Sequence, residues 1–198
     1  MFRKLFFAGL FIFSFQLLNA QDFHAGLIGG ISTTQVAGDN LEGFNKAGLI
    51  GGGFVNRSMS EDISLQMEII FIQKGSRKPI QPDNDNSFYV MRISYFEVPV
   101  LVKWQALKKL NIEAGPSVGV LIFSEEETEA GILNAPPFKK MEFSGNIGAS
   151  YPLTEKLTVN TRYSQSLLPI RPFPGYVTDF FHSGQYNTVL AFTLQYRF

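Results

Sequence analysis

Leu190-Ala191-Phe192-Thr193-Leu194-Gln195-Tyr196-Arg197-Phe198 closes the chain with strict alternation of apolar and polar side chains. Successive side chains of a β-strand point to opposite faces of a sheet, so this stretch predicts a strand with one apolar and one polar face. The length and the alternation are those of a strand that crosses a bilayer, for which about ten residues suffice.

The same two-residue alternation recurs along the chain, and no segment after Gln21 shows a sustained helical period. It predicts eight strands, at residues 23–33, 46–56, 62–74, 88–104, 110–123, 141–151, 157–167 and 187–198. Short turns at 57–61, 105–109 and 152–156 alternate with long polar segments at 34–45, 75–87, 124–140 and 168–186. An even strand number with this alternation of turns and loops predicts an all-β fold, an eight-stranded antiparallel transmembrane β-barrel in the cell outer membrane.

The first twenty residues have the pattern of a cleaved secretory signal. Arg3 and Lys4 precede an apolar run from Leu5 to Phe15, and Ala20 offers a small residue before a cut. A membrane-anchoring helix is the alternative, but the apolar run is shorter than the roughly 20 residues that a spanning helix needs. We therefore expect a signal peptide at 1–20 and a barrel domain at 21–198.

Charged residues fall regularly on the polar faces of the predicted strands. A soluble lipocalin-type barrel would hold apolar side chains inside, around a ligand. The regular alternation instead predicts a polar interior in which cations and carboxylates pair, because an unpaired buried charge is very costly. The predicted charge network of the lumen consists of Glu68, Glu97, Lys103, Glu113, Glu142, Arg162 and Arg197. Since eight strands leave a lumen that side chains just fill, we expect a plugged barrel rather than a pore.

Aromatic residues and prolines bear on the same fold. Two aromatic belts are predicted, one beside the short turns (Trp104, Tyr151, Tyr196, Phe198) and one towards the long loops (Phe71, Phe88, Tyr89, Phe123, Tyr163). The repeated segment Ala25–Gly30 and Ala47–Gly52 supplies glycines that permit bending and leave room for large inward neighbours. Pro99 and Pro116 interrupt strands that have no free edge, so we expect a local bulge at each.

Composition excludes several classes of function. The chain has no cysteine, which removes disulfides, thiol catalysis and thiolate metal sites. Its 17 basic and 17 acidic residues balance, and loss of Arg3 and Lys4 with the signal leaves the mature chain at −2. No bulk charge favours nucleic acid as a partner.

Several segments resemble the PorT-like outer-membrane β-barrel family, a group of small barrels. The matching stretches are Leu65 to Glu68 continuing to Gln73-Lys74-Gly75, Tyr95 to Lys103, Asn111 to Pro116 and Leu194 to Phe198. They extend over nearly the whole mature chain, and both prolines lie within them. The resemblance implies the barrel fold and, through the family's namesake, an association with protein secretion.

Three sequence features suggest chemistry, and each has a simpler structural explanation. Gly115-Pro116-Ser117-Val118-Gly119 matches the G-x-S-x-G pattern of serine hydrolases, with Asp179 and His182 following in the expected order. That chemistry needs a strand-to-helix elbow, whereas residues 117–123 continue as a strand, so we expect no catalytic residues. Glu125, Glu126, Glu127 and Glu129 are carboxylates of the type that binds divalent cations, but a solvated acidic loop is the simpler interpretation. The glycine segments fit no phosphate-binding register, and we expect no cofactor and no metal.

These features favour a structural or interaction role, ahead of an accessory part in secretion or adhesion and of a rim-sited lipid hydrolase or narrow channel. The expected partners are outer-membrane lipid and lipopolysaccharide, and a protein that contacts loops 124–140 and 168–186. A further expected partner is the barrel-assembly machinery during biogenesis. Leu194, Tyr196 and Phe198 resemble the C-terminal strand signal that this machinery recognises.

Overall fold

The computed structural model describes residues 23–39, 41, 43–78, 88–172 and 184–198. Eight long strands dominate it: β1 (Phe23–Ala37), β2 (Lys46–Ser58), β3 (Ile63–Arg77), β4 (Tyr89–Leu107), β5 (Leu110–Thr128), β7 (Met141–Pro152), β8 (Leu157–Ser166) and β10 (Gly184–Arg197). Two short strands lie among the long connections, β6 (Gly131–Ile132) and β9 (Arg171–Pro172). In the described part of the chain, no helix has the length and apolarity to cross a membrane. The predicted signal peptide, residues 1–20, lies outside the described residues.

The eight long strands form a closed antiparallel ring. Neighbours pair in the order β1-β2-β3-β4-β5-β7-β8-β10, and β10 returns to pair with β1. Closure runs through twelve residue pairs, from Gly26 opposite Arg197 to Ala37 opposite Tyr186. A closed ring has no open strand edge, so its backbone donors and acceptors are paired within the barrel. The prediction of an eight-stranded antiparallel barrel is confirmed.

Several strands extend further into the long-loop end than the sequence predicted. β1 continues to Ala37, β3 to Arg77 and β5 to Thr128, each several residues beyond the alternating apolar run. Backbone hydrogen bonds hold these extensions together, so the ladder continues where the side chains become polar. The predicted loop 124–140 is accordingly shorter, and β6 pairs within it against Glu127 and Thr128.

The predicted bulges at Pro99 and Pro116 are wrong. Residue pairing resumes in the same register on both sides of Pro99, between β3 and β4 and between β4 and β5. Pro116 lies in regular register opposite Gly145. The irregularities of the β4–β5 pair lie elsewhere, between Ser94 and Tyr95 and between Gln105 and Leu107. At these prolines the ladder accommodates the missing N–H by leaving out residue pairing locally. No extra residue is inserted, so no bulge forms.

Side chains sort to the two faces of the barrel as the alternation predicts. The outward face carries exposed apolar residues on every long strand, for example Leu27, Leu49, Met67, Val102, Val120, Ile147, Tyr163 and Phe192. Gly26 lies opposite Phe54, and a Cβ at Gly26 would overlap the Phe54 ring, so the glycine makes room for a large inward side chain. Tyr89 departs from its predicted place in the outer aromatic belt, because it packs against the buried apolar cluster inside the barrel.

Candidate functional site

The middle of the lumen holds a balanced cluster of charges, the central network, formed by Glu68, Lys103, Glu113 and Arg162. Arg162 Nη1 and Nη2 donate to the two carboxylate oxygens of Glu68, each at 2.7 Å, and Arg162 Nε donates to Glu113 Oε1 at 2.7 Å. Lys103 Nζ lies 3.2 Å from Glu113 Oε2, within ion-pair distance but without hydrogen-bond geometry. All four side chains are buried, and two cations match two carboxylates.

A second cluster, the upper network, lies towards the long loops and consists of Lys74, Glu97 and Glu142. Lys74 donates to both carboxylates, with 2.9 Å to Glu142 Oε1. Ser144 Oγ donates to Glu142 Oε1 at 2.9 Å, and Asn187 Nδ2 donates to Glu142 Oε2 at 2.8 Å. One cation serves two carboxylates here, and neutral donors supply the remaining hydrogen bonds.

An apolar cluster fills much of the space beside and above these networks. Its buried members are Ile28, Val36, Ile50, Phe54, Ile70, Ile72, Met91, Ile93, Tyr95, Ile170, Val189 and Ala191. The predicted polar interior therefore holds for only part of the lumen, because apolar side chains of β1, β2, β3, β4 and β10 also point inward. The cavity that touches both networks measures about 20 Å³, close to the space of one water molecule.

A further group of contacts, the rim cluster, surrounds Arg171 at the long-loop end. Arg171 Nη2 lies 2.6 Å from Glu126 Oε1, Arg171 Nε donates to Gln185 Oε1 at 2.9 Å, and the guanidinium stacks on the Phe138 ring at 4.3 Å. The cluster joins segments from both predicted binding loops, 124–140 and 168–186, of which residues 173–183 lie outside the described part.

The structure brings six of the seven predicted network residues into ion pairs and separates the seventh. Arg197 is exposed at the short-turn end and makes no ion pair with any described residue. Its inclusion in the charge network is wrong, because it is the last residue of β10 and pairs with none of the buried carboxylates. The sequence analysis did not include Lys74 in the predicted network. Lys74 has the same alternation as Gln66 and Glu68 on the inward face of β3, and this alternation could have identified it.

The G-x-S-x-G segment that resembles a hydrolase motif lies within the regular strand β5. Ser117 is buried inside the barrel and its Oγ accepts a hydrogen bond from Asn146 Nδ2 at 3.0 Å. It pairs with Pro99 on one side and Ser144 on the other, so no strand-to-helix elbow presents it. Asp179 and His182 lie outside the described residues.

Glu125, Glu126 and Glu127 belong to β5, so the solvated-loop interpretation is wrong for these three residues, whereas Glu129 is exposed in the turn that follows β5. Glu125 and Glu127 both accept from Arg92 Nη1 on the outer surface, at 3.0 and 2.7 Å. Glu126 points inward to Arg171, and Glu129 Oε1 accepts from the Phe88 backbone. Alternation splits the run between two faces, and no group of metal-ligating side chains occurs in the described part of the chain.

The three residues of the predicted assembly signal share the outward face of β10. Leu194, Tyr196 and Phe198 are exposed, and the rings of Tyr196 and Phe198 meet edge to face at 6.3 Å. The Phe198 backbone N–H donates to Ala25 O at 3.0 Å, so the last residue is hydrogen-bonded to the first strand. An anchor at the bilayer surface and a signal for assembly would both use rings in this position.

Comparison with known protein families identifies the family of this barrel. A family model described as an outer membrane protein beta-barrel domain matches residues 19–171. The chain belongs to this family. Outer-membrane β-barrels generally have short turns in the periplasm and long loops outside the cell, so we expect the rim cluster to be extracellular and Arg197 to be periplasmic. None of the curated protein sequences matches the chain.

Solved structures of other outer-membrane barrels share the fold of this chain. Ail, the attachment invasion locus protein of Yersinia pestis, in complex with the heparin analogue sucrose octasulfate, aligns with a TM-score of 0.51 at 10% identity, over 89% of this chain and 99% of Ail. Neisserial surface protein A aligns with a TM-score of 0.52 at 8% identity, over 89% of this chain and 97% of that protein. At these identities the likeness establishes the fold and does not transfer a function.

Proposed function

We propose that this outer-membrane protein is a closed barrel that presents an extracellular binding surface and does not conduct solutes. The observation that carries the proposal is the filled interior: the central network, the upper network and the apolar cluster occupy the lumen, and the space that touches both networks holds about one water molecule. In a barrel with a filled interior, the strands hold the long loops at the membrane surface, and the loops carry the binding surface.

Exposed apolar side chains at the extracellular end support an interaction role. Ile132 and Leu133, in the connection after β5, are 76% and 46% exposed, and Leu167 and Leu168, after β8, are 62% and 53% exposed. Exposed apolar side chains in such connections typically mark a protein contact or a contact with lipid headgroups. We propose a protein partner, because two separate connections each contribute exposed apolar residues.

A pull-down from detergent-extracted outer membranes tests this role. We expect the wild-type protein to retain a specific protein after crosslinking, and the Ile132→Ser/Leu133→Ser variant to retain much less of it. The Leu153→Ser variant is the matched control, because Leu153 is a similarly exposed aliphatic residue on a periplasmic turn. Equal recovery with all three proteins, or recovery of lipid alone, contradicts the proposal.

An accessory part in adhesion or protein secretion is a second candidate within the same role. The resemblance to the PorT-like family supports secretion, and the shared fold with Ail, an attachment invasion locus protein, supports adhesion. The identity of the crosslinked partner separates them, since a secretion component resides in the same envelope and an adhesion target comes from another surface.

A further inference from the structure

The outer surface of the barrel carries an apolar groove of about 520 Å³, the lateral groove. It crosses β1, β10, β8 and β7 and reaches Leu110 at the start of β5. Small residues form its middle, where Thr161 pairs with Ala149 on one side and with Phe192 on the other. Gly29 extends the groove onto β1, and a Cβ at this glycine would meet no atom within 4 Å. The groove is therefore a hollow that small outward residues leave in the wall of the barrel.

The residues that border the lateral groove belong to the face that meets lipid. Phe192 and Leu194 are exposed, whereas Thr193 and Gln195, which alternate with them on β10, are buried towards the lumen. Tyr151 borders the groove at the short-turn end and is also exposed. Because the short turns of outer-membrane barrels generally lie in the periplasm, we expect the groove to lie in the periplasmic leaflet.

A cation lies on the same face, at the short-turn end. Lys156 is exposed on the β7–β8 turn, and its Nζ lies 6.0 Å from the ring centre of Tyr196, which follows Leu194 on the outward face of β10. The neighbouring Glu155 lines the opening of the lumen instead, so the two charges of this turn face different sides of the wall. The outer surface therefore combines an apolar groove with an ammonium group at its periplasmic end.

We propose that the lateral groove holds an acyl chain of a phospholipid whose phosphate lies at Lys156. A hollow that faces hydrocarbon loses dispersion contacts along its walls unless a flexible apolar group enters it. An acyl chain is such a group, and the volume of the groove lies within the range of about 300–1,000 Å³ that is usual for small-ligand pockets. Lipid chains are as apolar as the groove, so apolar burial favours no particular lipid. The attraction between the phosphate and Lys156 supplies the selectivity.

A second copy of the barrel fits the lateral groove less well than a lipid chain does. Homodimers usually have a twofold axis, which places the same surface of each subunit against itself. With the axis at the groove, two hollows would face each other and their combined space would stay unfilled. An acyl chain enters the groove without this constraint.

Quenching of tryptophan fluorescence by brominated phospholipid tests the proposal. The reporter is Tyr151→Trp in a Trp104→Phe background, because Trp104 is the only tryptophan of the chain. The refolded mature barrel is placed in phosphatidylcholine vesicles that contain increasing fractions of phosphatidylglycerol with brominated acyl chains. We expect the reporter to select the anionic lipid about fivefold over brominated phosphatidylcholine, the effect typical of one lysine near anionic headgroups. Lys156→Gln should remove most of this preference.

A groove-filling variant separates this site from a general attraction of anionic lipid to a surface cation. Gly29→Leu/Thr161→Leu places two leucines on outward positions of the groove and keeps Lys156. The preference of the reporter should fall in this variant as it does in Lys156→Gln. Circular dichroism should show an intact barrel, because both substitutions face lipid and not the lumen.

Two controls match these changes. A Leu65→Trp reporter in the same background lies on the outward face of β3, outside the groove, and should show no preference between the two lipids. Arg57→Gln matches Lys156→Gln, because Arg57 is also a cation near an outward aromatic ring, 5.7 Å from the ring centre of Phe23, but lies outside the groove. It should leave the preference of the first reporter unchanged.

Three outcomes would overturn the proposal. The first is equal quenching of the Tyr151→Trp reporter by the two brominated lipids. The second is a preference that survives Lys156→Gln or the filling of the groove. The third is a crosslinked dimer in the vesicles in which the reporter is shielded from both lipids, which would assign the groove to a second copy of the chain.

Discussion

Arg162 and Glu68 meet across the lumen from opposite sides of the ring. Glu68 lies on β3 and Arg162 on β8, four strands apart in either direction around the barrel, yet both carboxylate oxygens lie 2.7 Å from guanidinium nitrogens. The pair spans the interior, and Arg162 also reaches Glu113 on β5. The Arg162 side chain therefore connects three strands of the barrel, β3, β5 and β8.

Loss of Arg162 should destabilise the barrel strongly. Arg162→Ala leaves Glu68 and Glu113 buried, with only the more distant Lys103 to balance two carboxylates. Removing one partner of a buried ion pair typically costs about 3–5 kcal/mol. The measurement is the urea unfolding midpoint of the refolded protein, and an unchanged midpoint contradicts a structural role for the central network. Arg92→Ala is the control, since Arg92 makes a similar pair of contacts on the exposed surface, where ion pairs contribute about 0–1 kcal/mol.

Lys74 should matter as much as Arg162, although the sequence did not single it out. Lys74→Met removes the one cation that, among the described residues, contacts Glu97 and Glu142, so we expect a destabilisation of a few kcal/mol in the same unfolding assay. Glu97→Gln/Glu142→Gln in the Lys74→Met background should recover part of the loss, because the stranded charges are then absent. No recovery would show that lost packing, rather than charge, dominates.

The barrel should not conduct ions. Hydrated ions need a continuous water path, and the space that touches both networks has a volume of about 20 Å³. Recordings in planar bilayers should therefore show no steady current from the purified protein, while a larger porin in the same membrane gives open channels. Stable, ion-selective openings would contradict the closed lumen and favour the narrow-channel alternative.

The G-x-S-x-G pattern should be catalytically silent. Ser117 is buried and accepts a hydrogen bond from Asn146, so Ser117→Ala should change neither esterase activity nor labelling by a fluorophosphonate probe. The exposed Ser60 on a periplasmic turn provides a comparison for background labelling. Labelling that is specific to Ser117 would refute the prediction.

Removal of Phe198 should affect assembly more than stability. The truncated chain loses one exposed ring and one backbone hydrogen bond to Ala25, a modest loss for a barrel with twelve closing residue pairs. If the ring belongs to an assembly signal, the truncated protein should accumulate in the periplasm in a protease-sensitive form, while the same chain refolds in detergent.

Normal surface assembly of the truncated protein would leave Phe198 as an interfacial anchor. Phe96→Ala serves as a control, because Phe96 is another exposed outward ring, paired with Phe71 at 5.8 Å, far from the C-terminus. That variant should assemble at the cell surface like the wild type.

The alternation along each strand determined the fold and the face of each residue. Period-two alternation fixes which side chains point inward, so Glu68, Glu113 and Arg162 could be assigned to the lumen from the sequence, and the short turns and long loops fixed the antiparallel order. Strand ends were less well predicted, because the ladder of β1, β3 and β5 continues through backbone hydrogen bonds where side-chain alternation stops.

The partners of the inward charges required the tertiary structure. Arg162 and Glu68 are separated by 94 positions, and they meet because the ring closes with one particular stagger between its strands. The same stagger places Lys74 between Glu97 and Glu142 and leaves Arg197 at the short-turn end, although Arg197 and Arg162 have the same alternation. Alternation is a local property of each strand, whereas the height of a side chain in the lumen depends on the register of all eight strands, and that height decides which charges pair.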